Sequence, residues 1–305
     1  MRNAYTLKIT PPDHPVYSRL EEKIYNTSDN VSLHYWIARD SLEGKQPIAF
    51  LHGLTGNHSG FIEYLEPLLA AGYWPILFDL RGHGKNNKLL DSNAFSIQRI
   101  CQDIHEILTA EGISSLHMIS HCYGSYVALF FHALYPDALQ TLTLIEPFYL
   151  DHHTTCFRRK KSLLRPAAKP FMRGLARLPL RIPHLRHRYL YPYIYQDRNK
   201  PLPYFVIRDT LSNPIRLLQD AIRAVWESHE EFEHIIASFT PIPLLFIAGE
   251  KDTFVPQSYV ENLYTLLKEK TPSQFVSFPK TGHTLPVKYP ELLAERILMF
   301  IQSKE

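Results

Sequence analysis

Cysteine is scarce, with three residues in 305, at positions 101, 122 and 156. So few thiols, odd in number, argue against a disulfide framework and fit a reducing compartment. No run approaches the roughly 18 apolar residues that a membrane-crossing helix needs. The first stretch, MRNAYTLKITPPDHPVYSRLEEK, lacks the apolar centre of a signal peptide. Low-complexity tracts are missing too, and the formal net charge is only +3, so a disordered chain is not expected. The expected location is therefore cytoplasmic. What remains is a chain with 45% hydrophobic residues, long enough for one large α/β domain carrying an insertion.

Short apolar runs recur along it. EKIYNTS and VSLHYWIAR flank a DN turn signal, and PIAFLHG, YWPILFDL, LHMISHC, LQTLTLIEP, PIPLLFIAG and SQFVSFP follow. Uninterrupted runs of this kind read as strands buried on both faces, as in a mostly parallel sheet. Helical patterns lie between them. In SIQRICQDIHEILTAEG, Ile97, Ile100, Cys101, Ile104, Ile107 and Leu108 share one stripe, with Gly112 as the expected cap. Alternation of this kind predicts a wound α/β sheet with right-handed crossovers.

The rhythm breaks after Pro147 and resumes near Pro241. Residues 151–240 hold sixteen Lys or Arg against eight acidic residues, whereas the remainder of the chain is net acidic. The later part, NPIRLLQDAIRAVWESHEEFEHII, is helical in pattern. We read three parts: a core over 1–150, a basic helical cap over 151–240, and the second part of the core over 241–305.

The stretch ISHCYGSY, 119–126, has the outline of a strand, a sharp turn and a helix. Small Ser120 and Gly124 flank Cys122 two positions away on either side, as a strained turn that exposes a nucleophile requires. The helix that follows donates backbone N–H groups to an anion at its start. A free cysteine is more often a small buried residue, which suits Cys101, but the position of Cys122 at the turn outweighs that default. A triad needs an acid and a histidine further along the chain. Asp252 in GEKDTFVP follows a strand, and His283 in KTGH precedes the last helix. Glu146, after the preceding strand, is a second acid candidate, ranked below Asp252. The sharp turn at Gly53 would aim the N–H of Leu54 at the elbow, where with the N–H of Tyr123 it forms an oxyanion hole. His52, Gly53 and His121 flank these groups and are expected to line the substrate site.

Together HGLTG, DLRGHG, SHCYGS, GEKDTFVP and KTGH resemble the α/β-hydrolase superfamily, in a variant with a cysteine nucleophile. The likeness runs from about residue 20 to the C-terminus, interrupted by the cap. It implies an α/β-hydrolase fold: an eight-stranded, mostly parallel sheet with the active site beneath a helical cap insertion. The chain departs from the family pattern at Ser120, in place of the usual first glycine, and at Cys122, in place of the usual serine. Cysteine at that position is similar to dienelactone hydrolases, polyhydroxyalkanoate synthases and some thioesterase or cyclase domains. The implied chemistry is cleavage or transfer of an acyl group from an ester or thioester through a covalent acyl-cysteine.

No cofactor is expected, and the histidine pairs 152/153 and 184/187 lack a complete metal-ligand set. The expected partner is a small acyl ester or thioester, with coenzyme A or carrier-protein conjugates favoured by the basic segment. The same segment alternates charged and apolar residues, which suits peripheral contact with an anionic membrane surface. Nucleic acid is not an expected partner, because no recognised module accompanies the charge. Oligomeric state cannot be read from the sequence. The competing functional classes are a non-catalytic ligand-binding or regulatory protein that reuses the fold, and a membrane-surface partner acting through the cap.

Overall fold

A computed structural model describes residues 15–38, 46–86, 95–149, 215–283 and 285–305. Eight strands form one sheet: β1 (Glu21–Asn26), β2 (Ser32–Ile37), β3 (Pro47–Leu51), β4 (Trp74–Phe78), β5 (Leu116–His121), β6 (Leu139–Ile145), β7 (Leu244–Gly249) and β8 (Ser273–Phe278). Their order is β1-β2-β4-β3-β5-β6-β7-β8. The β1/β2 and β2/β4 pairs are antiparallel and the other five are parallel.

The long apolar runs are explained by burial on two sides. Along β3, Ile48 and Phe50 enter one core while Ala49 and Leu51 enter the other. Strand β7 does the same, sending Leu244, Phe246 and Ala248 one way and Leu245 and Ile247 the other. Successive side chains of a strand point to opposite faces, so a strand covered on both faces shows no polar alternation. Each such side chain contributes roughly 1.5–3 kcal/mol by leaving water.

One face is covered by α1 (Ile62–Ala70) and, at the C-terminus, α8 (Pro290–Gln302), which pack on each other. The opposite face carries α2 (Ile97–Ala110), α3 (Tyr123–Leu134), α4 (Ile215–Glu227), α5 (His229–Ala237) and α6 (Gln257–Leu267). A short helix, α7 (Leu285–Lys288), precedes α8. The stripe expected on α2 is buried as read, and Ser96 caps the helix by accepting the N–H of Arg99.

Of the expected cap, α4 and α5 are described; residues 150–214, including Cys156 and most of the basic charge, lie outside the described residues. The stretch read as one helical pattern is two helices meeting at Ser228. Its hydroxyl donates back to the Ala224 carbonyl at 2.7 Å, offering the backbone an alternative to the helical ladder. Tyr126 on α3 stacks on Phe232 of α5, ring centroids 4.7 Å apart, which fixes the pair against the sheet.

The chain order runs outward in both directions from β3, toward β4 on one side and β5 on the other. Ligands of open α/β sheets bind beyond the C-terminal strand ends at such a switch point. Gly53 follows β3 there and Cys122 follows β5, and the register pairs Leu51 with Ser120.

Candidate active site

Strand β5 ends at His121, and α3 begins at Tyr123, leaving a single residue for the turn. That residue is Cys122, with φ +50° and ψ −113°. A non-glycine residue adopts such a conformation only where its surroundings enforce it. Here its N–H donates to the Ile145 carbonyl at 3.0 Å, and its own carbonyl accepts N–H groups of Ser125 at 3.0 Å and Phe148 at 3.2 Å. Gly124 has no room for a side chain: a Cβ would lie 2.4 Å from the Leu51 carbonyl oxygen. Ser120 fits where a glycine was expected because its hydroxyl donates to the Thr143 carbonyl at 3.0 Å and lies 3.1 Å from Ser125 Oγ. The Cys122 side chain stays half-buried, whereas Cys101 is fully buried, its thiol pushed well up by burial.

Asp252 turns the chain after β7. Its Oδ1 accepts the N–H groups of Phe254 at 2.7 Å and Val255 at 2.9 Å, which locks the carboxylate in place. Its Oδ2 lies 2.7 Å from His283 Nδ1. A carboxylate there accepts, so Nδ1 carries the proton and Nε2 is left for another partner. The Cys122 thiol lies close enough to act on the same imidazole and to raise its pKa. Burial disfavours charge on His283, yet the hydrogen bonds to Asp252 and Cys122, with the nearby charges, hold its pKa well above the usual histidine range. The Asp252 and His283 loops are also tied through Lys251 N–H, which donates to the Thr281 carbonyl at 2.6 Å.

The remaining expected site residues are placed as follows. Gly53 abuts the elbow: a Cβ would lie 3.1 Å from His121 Nδ1 and 3.4 Å from Cys122 Cβ. Leu54 follows it, and His83 Nε2 donates to its carbonyl at 2.6 Å, holding the turn. Tyr123 opens α3, where the first N–H groups of a helix have no partner within it. His52 is spent on the backbone. Its Nδ1 donates to the Gly53 carbonyl at 2.8 Å and its Nε2 accepts the Leu80 N–H at 3.0 Å. Burial, with the neighbouring His83, lowers its pKa to about 3, so the ring is neutral, as that pairing requires.

His121 turns to Glu146, its Nε2 3.0 Å from Glu146 Oε2. Sequence reasoning ranked Glu146 low, yet its carboxyl lies fully buried beside Asp252 and His283, 3.6 Å from His283 Nδ1. The only signal available was an acid at a strand end in LTLIEP. Phe254 was not singled out at all; its exposed ring packs 5.3 Å from the His283 ring. His121, Glu146 and His283 also bring one donor atom each within 4.8 Å of one another, the metal-competent cluster among the described residues. His121 and His283 already pair there with Glu146 and Asp252. A thiol at a strained turn, an oriented imidazole and the start of a helix are the kinds of group that nucleophilic acyl chemistry uses.

Comparison with known proteins gives a consistent picture. Residues 46–288 match the family model described as the alpha/beta hydrolase fold. A Caulobacter segnis protein named as a carbamate hydrolase, RutD, is 22% identical over 284 residues, covering 89% of this chain and 95% of that one. Among solved structures, an epoxide hydrolase from Vigna radiata superposes with a TM-score of 0.68 at 13% identity, covering 94% of this chain and 99% of its own. A thermophilic esterase from Thermogutta terrifontis gives 0.64 at 20% identity, covering 93% and 99%.

Proposed function

The chain belongs to the α/β hydrolase fold family, and from that premise we propose that it cleaves or transfers an acyl group from an ester or thioester through Cys122, His283 and Asp252. One observation carries the reading. The His283 imidazole is held at Nδ1 by Asp252, at 2.7 Å, and the thiol of Cys122, seated on the left-handed turn, is near enough to raise the pKa of that ring.

In the proposed reaction His283 takes the thiol proton at Nε2, and the sulfur attacks the acyl carbon. A C–S bond forms while the carbonyl π pair moves to oxygen, where the N–H groups of Leu54 and Tyr123 stabilise it. The oxyanion collapses, the bond to the leaving group breaks, and that group takes the proton from His283. Water, or an acceptor alcohol, amine or thiol, then loses its proton to His283 as it attacks the acyl-cysteine. The second collapse breaks the C–S bond and returns the proton to the sulfur. Asp252 keeps the ring in one tautomer and offsets the imidazolium charge throughout.

A sulfur nucleophile favours thioester substrates, because exchanging one thioester for another is nearly isoenergetic and leaves the acyl group reactive. Coenzyme A or carrier-protein conjugates suit the basic composition of 151–240, and the same segment suits peripheral contact with an anionic membrane. The RutD relative favours including carbamates, whose carbonyl carbon is attacked in the same way.

The test is intact-mass spectrometry after incubation with acyl-thioester, ester and carbamate panels. An acyl adduct on Cys122, absent from Cys122→Ala, is expected, and added amine or alcohol separates transfer from hydrolysis by product. No adduct and no turnover across the panel, with tight ligand binding that survives Cys122→Ala, would instead establish a binding protein.

A further inference from the structure

We propose that Glu146 is a second positioning carboxyl of this site, held by His121 and able to take over the imidazole of His283 when Asp252 is lost. The inference rests on the acyl-cysteine reading and adds a role to it.

Glu146 has φ +47°, the second left-handed non-glycine residue at the site after Cys122. Its N–H donates to the Ile247 carbonyl at 2.8 Å, so the backbone is fixed from β7. Its side chain is enclosed without leaving the sheet edge. A Cβ on Gly249 would lie 3.0 Å from Glu146 Oε1, so glycine there makes room for the carboxyl. A strained backbone and a fully buried carboxyl both cost stability, and such features persist at sites where they serve function.

What the carboxyl faces is specific. Its Oε2 sits 3.0 Å from His121 Nε2 and 3.6 Å from His283 Nδ1, the atom that Asp252 Oδ2 approaches to 2.7 Å. Two carboxyls therefore compete for one ring nitrogen. Asp252 Oδ1 has two backbone donors, whereas Glu146 Oε1 has no hydrogen-bond partner. The surroundings therefore favour charge on Asp252 over charge on Glu146. Burial pushes the Glu146 carboxyl well above the ordinary range; His283 and, more weakly, the Leu285 N–H oppose this, and the charge of Asp252 adds to it. The groups facing Glu146 are His121 from β5, His283 and Asp252 from their loops, and Tyr64 from α1. Burial keeps the His121 ring neutral, so it bonds Glu146 without adding charge. Neutralising Asp252 removes one cause of the rise. Glu146 then ionises at lower pH and becomes the anion that orients His283.

The probe is iodoacetamide, with alkylation of Cys122 in the full chain followed over roughly pH 5 to 9, because it reads the thiolate–imidazolium pair without a substrate. Asp252→Asn is expected to slow alkylation at low pH and to recover as Glu146 ionises. Asp252→Asn/Glu146→Gln is expected to stay at least about fivefold slower than Asp252→Asn near neutrality, and Asp252→Asn/Glu146→Asp to regain part of the difference. Coincident curves for Asp252→Asn and the Glu146→Gln double variant would overturn the proposal. Should the double variant not fold, the imidazole Hε1 resonance of His283 in the Asp252→Asn protein decides. An inflection from a neighbouring carboxyl, lost in no other way than by Glu146 titration, supports the role, and a single histidine inflection overturns it. Alkylation that responds to Glu146 with no acyl turnover anywhere would sink the enzymatic reading while leaving this network standing.

Discussion

Gly124 lies so close to Leu51 that a Cβ on the glycine would fall 2.4 Å from the Leu51 carbonyl oxygen and 2.6 Å from that of His52. The first turn of α3 is pressed against the end of β3, and this contact brings the elbow beside the Gly53 turn. Backbone on both sides leaves nothing flexible to yield. Gly124→Ala should therefore cost about 2–3 kcal/mol through overpacking, read as a lower urea midpoint. The variant should also lose Cys122 reactivity, because the helix can only relieve the clash by moving the elbow. Unchanged stability would show that the two elements are not pressed together.

The left-handed backbone at Cys122 inverts an ordinary ranking. In most positions alanine is more stable than glycine, because glycine loses more entropy on folding. At φ +50° a Cβ is strained, so Cys122→Gly should be more stable than Cys122→Ala by about 1 kcal/mol. Both variants lack the thiol and neither should form an adduct, which separates strain from chemistry. Thermal unfolding of the pair is the measurement; the usual order, alanine above glycine, would mean the turn relaxes once the sulfur is gone.

Much of this site was legible because its signals are local. A buried strand ending in small residues on either side of one cysteine constrains its own turn, so the position of Cys122 at that turn could be read from eight residues. The runs at β3, β5 and β7 could be read because burial on both faces removes polar alternation. Glu146 was harder. A carboxyl at a strand end looks solvated, and its burial arises only when β5, β7 and the His283 loop converge on it. His52 illustrates the other limit: sequence names an imidazole but not the direction of its nitrogens, and both go to backbone groups. The break between α4 and α5 turns on where one serine hydroxyl donates, which no apolar period encodes.

Away from the site, a buried arginine joins three elements. Arg81 forks onto Asp103 of α2, with Nε and Nη2 each 2.6 Å from its oxygens, and onto Asp29 of the β1–β2 turn at 2.8 and 2.9 Å. Removing one member of a buried pair strands the other charge. Arg81→Met should cost about 3 kcal/mol, softened because Arg99 still reaches Asp103. Arg81→Met/Asp103→Leu should recover part of that loss, since an apolar replacement of both partners leaves no buried charge. A double variant less stable than Arg81→Met would show that the ion pair itself, rather than the stranded carboxylate, dominates.

Acid stability should trace in part to Asp79. Its Oδ1 accepts the His58 N–H at 2.8 Å and lies 2.9 Å from His58 Nδ1, and its Oδ2 accepts the Lys85 N–H at 2.7 Å. Burial opposes ionisation of this carboxyl, but the interactions with His58, with a smaller contribution from His52, bring its pKa down to about 2. A carboxyl depressed on folding binds its proton more weakly in the folded state than in the unfolded one. Its stabilisation is therefore complete above the unfolded value near 4 and is lost as pH falls toward 2, an effect of roughly 2 kcal/mol. Urea midpoints should fall over that interval, and Asp79→Asn should be less stable at neutral pH with a shallower acid decline. Some decline must persist in the variant, because Arg81 holds Asp29 down to about 2 by hydrogen bonding. Equal slopes for the two proteins between pH 4 and 2 would assign the acid sensitivity to carboxylates other than Asp79.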